Sequence, residues 1–160
     1  MKLLPKRTFF IALLLGVIFG VWTTAYRGDF RGDKAPLEKN IAAISFKNVS
    51  VEAEVVNRED TRILGLSGRS ALSEGEGMWF DFISEGYHGF WMKDMNFPID
   101  ILWFDKHLRI IHMKENASPE SYPETYAPPS PDRFVLEVPA GFVKKYAVSL
   151  GESVTVNKTP

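Results

Sequence analysis

The run Phe97-Pro98-Ile99-Asp100-Ile101-Leu102-Trp103-Phe104 constrains the fold more than any other part of the chain. Read as an extended strand it is apolar on both faces, because successive side chains alternate between them. A pattern of this kind belongs in a buried β core. Asp100 shares a face with Leu102 and Phe104, so its carboxylate is expected to be buried, and a buried charge needs a partner.

The segments around it repeat the theme. Val49, Val51, Ala53 and Val55 alternate with Ser50, Glu52 and Glu54, the pattern of a half-exposed strand. Met78–Phe82, Gly89–Met92, Phe134–Val138 and Ser153–Val156 read as further strands. Ile99–Phe104 and Leu108–Met113 flank Asp105-Lys106-His107, which predicts a hairpin with His107 in its turn. Asn57–Leu66 reads as a short helical stretch, with Asp60 or Thr61 available as a cap and Ile63, Leu64 and Leu66 as the apolar side. Ala140–Tyr146 is a second short helix entered from Pro139. Gly65, Gly68, Gly75 and Gly77 punctuate a loop, and proline-rich Ser118–Pro131 reads as a loop rather than an element. Six or seven strands and two short helices predict a mainly β domain, a compact antiparallel β-sandwich or small barrel, over residues 44–157.

The N-terminus is different in kind. Lys2, Lys6 and Arg7 precede 19 residues, Thr8 to Tyr26, without a charge. A basic lead before an unbroken apolar stretch is an export signal, a hydrophobic helix placed ahead of the domain. As a cleaved signal peptide it is cut after Ala25, with Thr23 and Ala25 as the small residues read by the peptidase. As an uncleaved anchor, 19 residues at a 1.5 Å rise span about 28 Å, close to a hydrocarbon core. Residues 8–26 then hold the chain in the cytoplasmic membrane, with Trp22 and Tyr26 at the far interface. Either way residues 1–26 form the address, 27–43 a flexible linker, and the remainder is translocated: outward-facing if anchored, periplasmic or secreted if cleaved. The repeated Arg-Gly-Asp at 27–29 and 31–33 reads as charged linker.

Composition removes several classes. With no Cys there is no disulfide framework, no thiolate metal site and no Cys nucleophile. The formal net charge of −1 gives no footprint for nucleic acid, and beyond Tyr26 the balance is 16 basic to 20 acidic residues. His88, His107 and His112 lack zinc spacing, and no catalytic motif such as Gly-x-Ser-x-Gly occurs. No metal and no cofactor are expected.

The residues left to carry chemistry are charged ones within apolar strands. Alternation puts Arg133, Val135 and Glu137 on one face of their strand, which makes Arg133 a natural partner for Glu137 or Asp100. Lys93, beside Trp91 and Met92, is a third basic candidate. Lys93, Asp100, Arg133 and Glu137 are therefore either a polar constellation at the floor of an aromatic cleft or structural ion pairs locking strands together. Trp79, Phe80, Phe82, Phe90, Trp91, Trp103 and Phe104 read as mainly core. Trp91, Tyr122 and Tyr126 are the aromatics placed to line a cleft or stack on a ligand.

Gly77-Met78-Trp79-Phe80, the block from Phe90 to Ile101, Glu115-Asn116-Ala117, Tyr126 with Pro128, Arg133 to Gly141 and Leu150-Gly151-Glu152 together resemble the family called domain of unknown function 192, over about residues 49–156. Gly65-Leu66-Ser67-Gly68-Arg69 departs from it. Members often carry Gly-Leu-Met followed by an aromatic residue and Arg, and the loss of that bulk weakens any role of the loop in covering a pocket. The resemblance implies a compact, mainly β domain, often exported or membrane-anchored, and implies no reaction.

The functional expectation is a non-enzymatic envelope domain that binds a ligand or protein partner, a glycan or a peptide among them, outside the cytoplasmic membrane. The competing expectation is a hydrolase with Asp100 and Glu137 as an acid–base pair and Arg133 or Lys93 holding an anion, which requires the two carboxyls to face one open cleft. A structural or assembly factor is the third.

Overall fold

The structure, a computed structural model, describes residues 40–158. The segment at 1–26 expected to direct export, and most of the expected linker, lie outside the described residues. Among the described residues no helix is long and apolar enough to cross a membrane.

In chain order the elements are β1 (Ile41–Ser45), β2 (Ser50–Val56), α1 (Glu59–Leu64), β3 (Glu76–Gly86), β4 (Phe90–Trp91), β5 (Ile99–Phe104), β6 (Ile110–Ala117), β7 (Thr125–Tyr126), β8 (Asp132–Pro139), α2 (Phe142–Tyr146) and β9 (Thr155–Lys158). The domain is mainly β with two short helices, as its patterning implies. Its architecture differs from the antiparallel sandwich or small barrel expected. Seven strands form one mixed sheet in the order β6-β5-β8-β3-β2-β1-β9, and β4 pairs with β7 in a separate ribbon. The exception to antiparallel pairing in the large sheet is β2 with β3. The chain between them crosses over through α1 and a loop, so β3 returns in the same direction as β2. Period-two patterning carries no information on strand direction.

The sheet also stops short of a barrel. Its edges meet at one end, where Ile110 N donates to Glu152 O and Val154 N to Leu108 O, with a single bridge between Arg109 and Ser153. Beyond that bridge the chain turns away and pairs with β1 as β9.

Several boundaries shift for identifiable reasons. β1 opens at Ile41, inside the stretch assigned to the linker, because Ala42 and Ile44 alternate into the core while their neighbours stay at the surface. Gly77 lies inside β3 rather than in a loop. A Cβ there would stand 2.9 Å from Glu137 O and from Val51 Cγ1, so only glycine lets β3 approach β8 this closely. The Ser118–Pro131 segment carries the two-residue strand β7, which pairs with the equally short β4. Helix α1 has Arg58 at its N-cap with no side-chain cap, and Thr61 Oγ donates to Arg58 O instead. Its Ile63 and Leu64 are 65% and 62% exposed, so the apolar side predicted for this helix does not enter the core; only Leu66, just beyond it, does.

β5 is buried along its whole length, as its apolar faces demand. One face of the sheet, with Trp79, Leu102, Phe104 and Leu136, packs under α2 and the chain leading to β9 through Phe142, Val143, Val148 and Val154. The other, with Met78, Phe80, Ile101, Trp103 and Val135, is covered by Leu66, Phe90 and Met92. Trp79 and Trp103 are each wholly enclosed. Burying such an indole removes roughly 200 Å² from water, worth roughly 5 kcal/mol before entropy is counted.

Candidate functional site

The second face of the sheet is incompletely covered. A cleft of about 360 Å³ opens between α1, the turn after it and the segment Tyr87–Trp91. Its volume lies in the range of small-molecule sites. Phe80 and Phe82 of β3 form one wall, Phe90, Trp91 and Met95 another, and Ile63 and Leu64 stand at the mouth. Ile63, Leu64, Tyr87 and Trp91 are all exposed there, an apolar rim around a concave site.

Glu137 of β8 lies in the lining. It pairs in register with Met78 on one side and Ile101 on the other, so its carboxyl rises among apolar neighbours. The residue is 5% exposed, and Oε2 is buried with no hydrogen-bond partner. Burial pushes its carboxyl up to about 8, against a smaller downward pull from the positive charge of Arg69. The Arg69 guanidinium is engaged by Glu54 at 2.8 Å. At neutral pH Glu137 is therefore mostly a neutral acid at the floor of an aromatic cleft.

Asp100 is not part of this arrangement. It pairs with Val138, one position along from Glu137, so its side chain leaves the opposite face of the sheet. Its partners are backbone amides. Asn116 N donates to Oδ1 at 2.8 Å and Val143 N to Oδ2 at 2.9 Å. One carboxylate thus ties β5 to the end of β6, where Asn116 holds a left-handed φ of 49°, and to the first turn of α2. No cation among the described residues takes part.

Arg133 is also elsewhere. Its Nη1 lies 2.5 Å from Asp81 Oδ1, and its guanidinium covers the Phe134 ring at 4.5 Å. The pairing with Glu137 or Asp100 expected from alternation does not form, because β3 brings Asp81 alongside Phe134 and presents a nearer carboxylate. Lys93 is exposed, and its carbonyl accepts a hydrogen bond from Ser67 Oγ at 2.9 Å. The four residues therefore do not converge. Of the three cleft aromatics, Trp91 lines the site. Tyr122 is exposed away from the lining, beside a cis peptide to Pro123, and Tyr126 sits in β7 with Lys114 Nζ over its ring at 4.6 Å. Ser67 and Gly68, the departure from the family pattern, dock on the loop after Trp91, and Gly65–Ser67 line the cleft without the bulk of a methionine.

One pair in this region has no signature in sequence spacing. His88 donates its backbone N–H to Asp132 Oδ1 at 3.0 Å, and its Nδ1 lies 2.8 Å from Asp132 Oδ2. The imidazole stacks on Phe82 with centroids 3.5 Å apart, and Trp103 Nε1 donates to His88 O at 2.9 Å. Asp132 is wholly buried. Burial raises its carboxyl above the usual range, partly offset by the bonds from His88. The two residues are 44 positions apart, and only the pairing of β3 with β8 brings them together. Among the described residues no group of acidic and histidine side chains is placed to hold a metal ion.

The fold has solved counterparts. A candidate transcription regulator from Sinorhizobium meliloti 1021 superposes with a TM-score of 0.68 at 28% identity, over 74% of this chain and 93% of its own. A protein of unknown function from Novosphingobium aromaticivorans DSM 12444 gives 0.67 at 22% identity, over 72% and 83% of the two chains, and at that identity it speaks for the fold alone. No curated protein matches the chain. Residues 42–156, most of the sequence, match the family described as Uncharacterized ACR, domain of unknown function 192, and the chain belongs to that family.

Proposed function

We propose that this is a ligand-binding domain carried outside the cytoplasmic membrane, and that its site is the cleft floored by Glu137. The observation that carries the reading is Glu137 in the lining of an open, apolar-rimmed concavity, its carboxyl buried and without a hydrogen-bond partner at Oε2 among the described residues. A buried polar atom without a partner costs free energy, and a bound molecule that reaches it recovers that cost. Ile63, Leu64 and Met95 in the lining favour a ligand with an apolar stem, and the Glu137 carboxyl favours a polar head on it.

The external address rests on Lys2, Lys6 and Arg7 ahead of the uncharged stretch at 8–26. Alkaline phosphatase fused behind residue 158 is active if the domain is translocated and inactive if it stays inside. The site is tested on the isotopically labelled full chain, with 1-butanol as the probe and amide shifts as the readout. Shifts centred on Gly89, Trp91 and Leu66 support the cleft. Shifts elsewhere, or none, count against it.

An acid–base enzyme is the second reading. Asp100 does not serve it, since the sheet separates it from Glu137. The observation that favours it is a neutral carboxyl and His88 lining one cleft, with Asp132 bonded to His88 from behind. Turnover of any ester or amide that is abolished in both Glu137→Gln and His88→Gln would promote this reading over simple binding.

A further inference from the structure

We infer that the head group taken by the cleft is an organic ammonium, a primary amine on an aliphatic or aromatic stem, with its N–H donating to the Glu137 carboxyl. This rests on the cleft being the ligand site and specifies what enters it. Three features of the site converge on a cation. The unpartnered group is a carboxyl, which in its ionised form only accepts hydrogen bonds. The lining is aromatic, with Tyr87 and Trp91 exposed at the cleft and Phe80 and Phe90 behind them, and ring faces attract a cation once water is removed. Of the positive side chains nearby, one is paired with a carboxylate and the other shares the lining with Glu59. Arg69 pairs with Glu54, while Arg62 Nη1 donates to Asn57 O at 2.6 Å and its guanidinium covers the Phe82 ring at 5.1 Å. A neutral ligand without a donor would gain nothing from a carboxylate at the floor, and an anion would be repelled by it.

Proton linkage follows. An ammonium binds the carboxylate form, so its arrival expels the proton that burial keeps on Glu137 in the empty site. The other titratable groups around the cleft are Glu59 and Arg62 from α1, Arg69 from the turn after it, and Tyr87 and His88 before β4, the last tied to Asp132; the neighbours of Glu137 on β3 and β5, Met78 and Ile101, are apolar. Rising pH therefore strengthens ammonium binding, by about tenfold per unit below pH 8 and with a plateau above it. The alkylammonium itself stays charged to about pH 10.

The test compares n-butylammonium with 1-butanol on the full chain by chemical-shift titration between pH 6 and 9. The proposal expects the cation to bind at the cleft at least about tenfold more tightly than the alcohol at pH 8, a difference near 1.4 kcal/mol. It also expects nearly one proton released per cation bound at pH 7, read from the buffer dependence of the binding heat. Glu137→Gln should lose the preference for the cation and its pH dependence while keeping the affinity for 1-butanol. Nα-acetyl-lysine methylamide identifies the source of the amine: affinity equal to that of n-butylammonium assigns a lysine of a peptide, and weaker affinity a free amine. If 1-butanol binds the cleft as well as the cation does, with no proton released, the ammonium assignment is overturned while the cleft stands. If neither probe shifts the cleft residues, both fall. Proton release is read on the native chain, so the proposal is decided even if the variant fails to fold.

Discussion

Asp100 on β5 stands opposite Val138 on β8, and Glu137 opposite Ile101, so the two buried carboxyls leave adjacent strands on opposite faces of the sheet. One position of register separates a group satisfied by two backbone amides from a group with an orphaned oxygen. Their environments assign them different roles. Asp100 organises the junction of β5, β6 and α2, while Glu137 lines the cleft on the other face.

Asp100→Asn should destabilise the domain by about 2–3 kcal/mol, because an amide NH2 replaces an acceptor opposite a backbone N–H. Denaturant unfolding measures it. The loss of protection from hydrogen exchange should concentrate at Asn116 and Val143. A variant as stable as the parent would mean these amides find other partners.

Glu137 works in the opposite sense. Its carboxyl titrates near 8 in the folded chain, against an ordinary value of 4.5. Between those values the unfolded chain has released the proton and the folded chain still holds it, so stability falls as pH rises. The group's contribution is fully present below pH 4.5 and drops by about 5 kcal/mol by the time pH passes 8, of which about 3 kcal/mol is lost by pH 7. Glu137→Gln should remove that segment of the stability–pH curve. Unfolding free energies of both chains at pH 4, 6 and 8 measure the difference, and parallel curves would contradict it.

His88→Ala should cost about 3 kcal/mol, since Asp132 remains enclosed with only the backbone bond left to it. In a double-mutant cycle with Asp132→Ala the two losses should be coupled by about 1 kcal/mol or more. Simple additivity would show that the pair contributes nothing as a pair.

Gly77→Ala should destabilise by about 1–3 kcal/mol through overpacking against Glu137 O, Val51 and Leu136. Because the clash falls on the backbone of Glu137, chemical shifts of the cleft should change with it. Unchanged shifts would separate β3–β8 spacing from the site.

How much of this was legible in the sequence varies from residue to residue. β5 was, because six buried positions leave no other reading of Ile99–Phe104. The burial of Asp100 followed from the same run, and so did its need for partners. That those partners are amides did not, since backbone donors carry no residue identity. Arg133 was paired wrongly, because alternation fixes a face and says nothing of which neighbouring strand supplies the carboxylate. The mixed sheet was hidden for a similar reason, as period two is the same for parallel and antiparallel strands. Glu137 was visible as a charge in an apolar strand; that it is unpaired depends on the positions of Arg69 and Arg133 in space. His88 and Asp132 were invisible as a pair, brought together only by the β3–β8 ladder. The apolar side of α1 was legible as a stripe, and its placement at the mouth of a cleft was not.

Among the described residues Glu137 is a buried carboxyl with no partner, held neutral at the floor of the cleft. Its side-chain carboxyl carbon, followed by NMR through a pH titration of the folded chain, tests that most directly. A midpoint near 8 that falls when an alkylammonium is bound is the expected result. A midpoint at 4.5 or below, unmoved by any amine, would contradict the account.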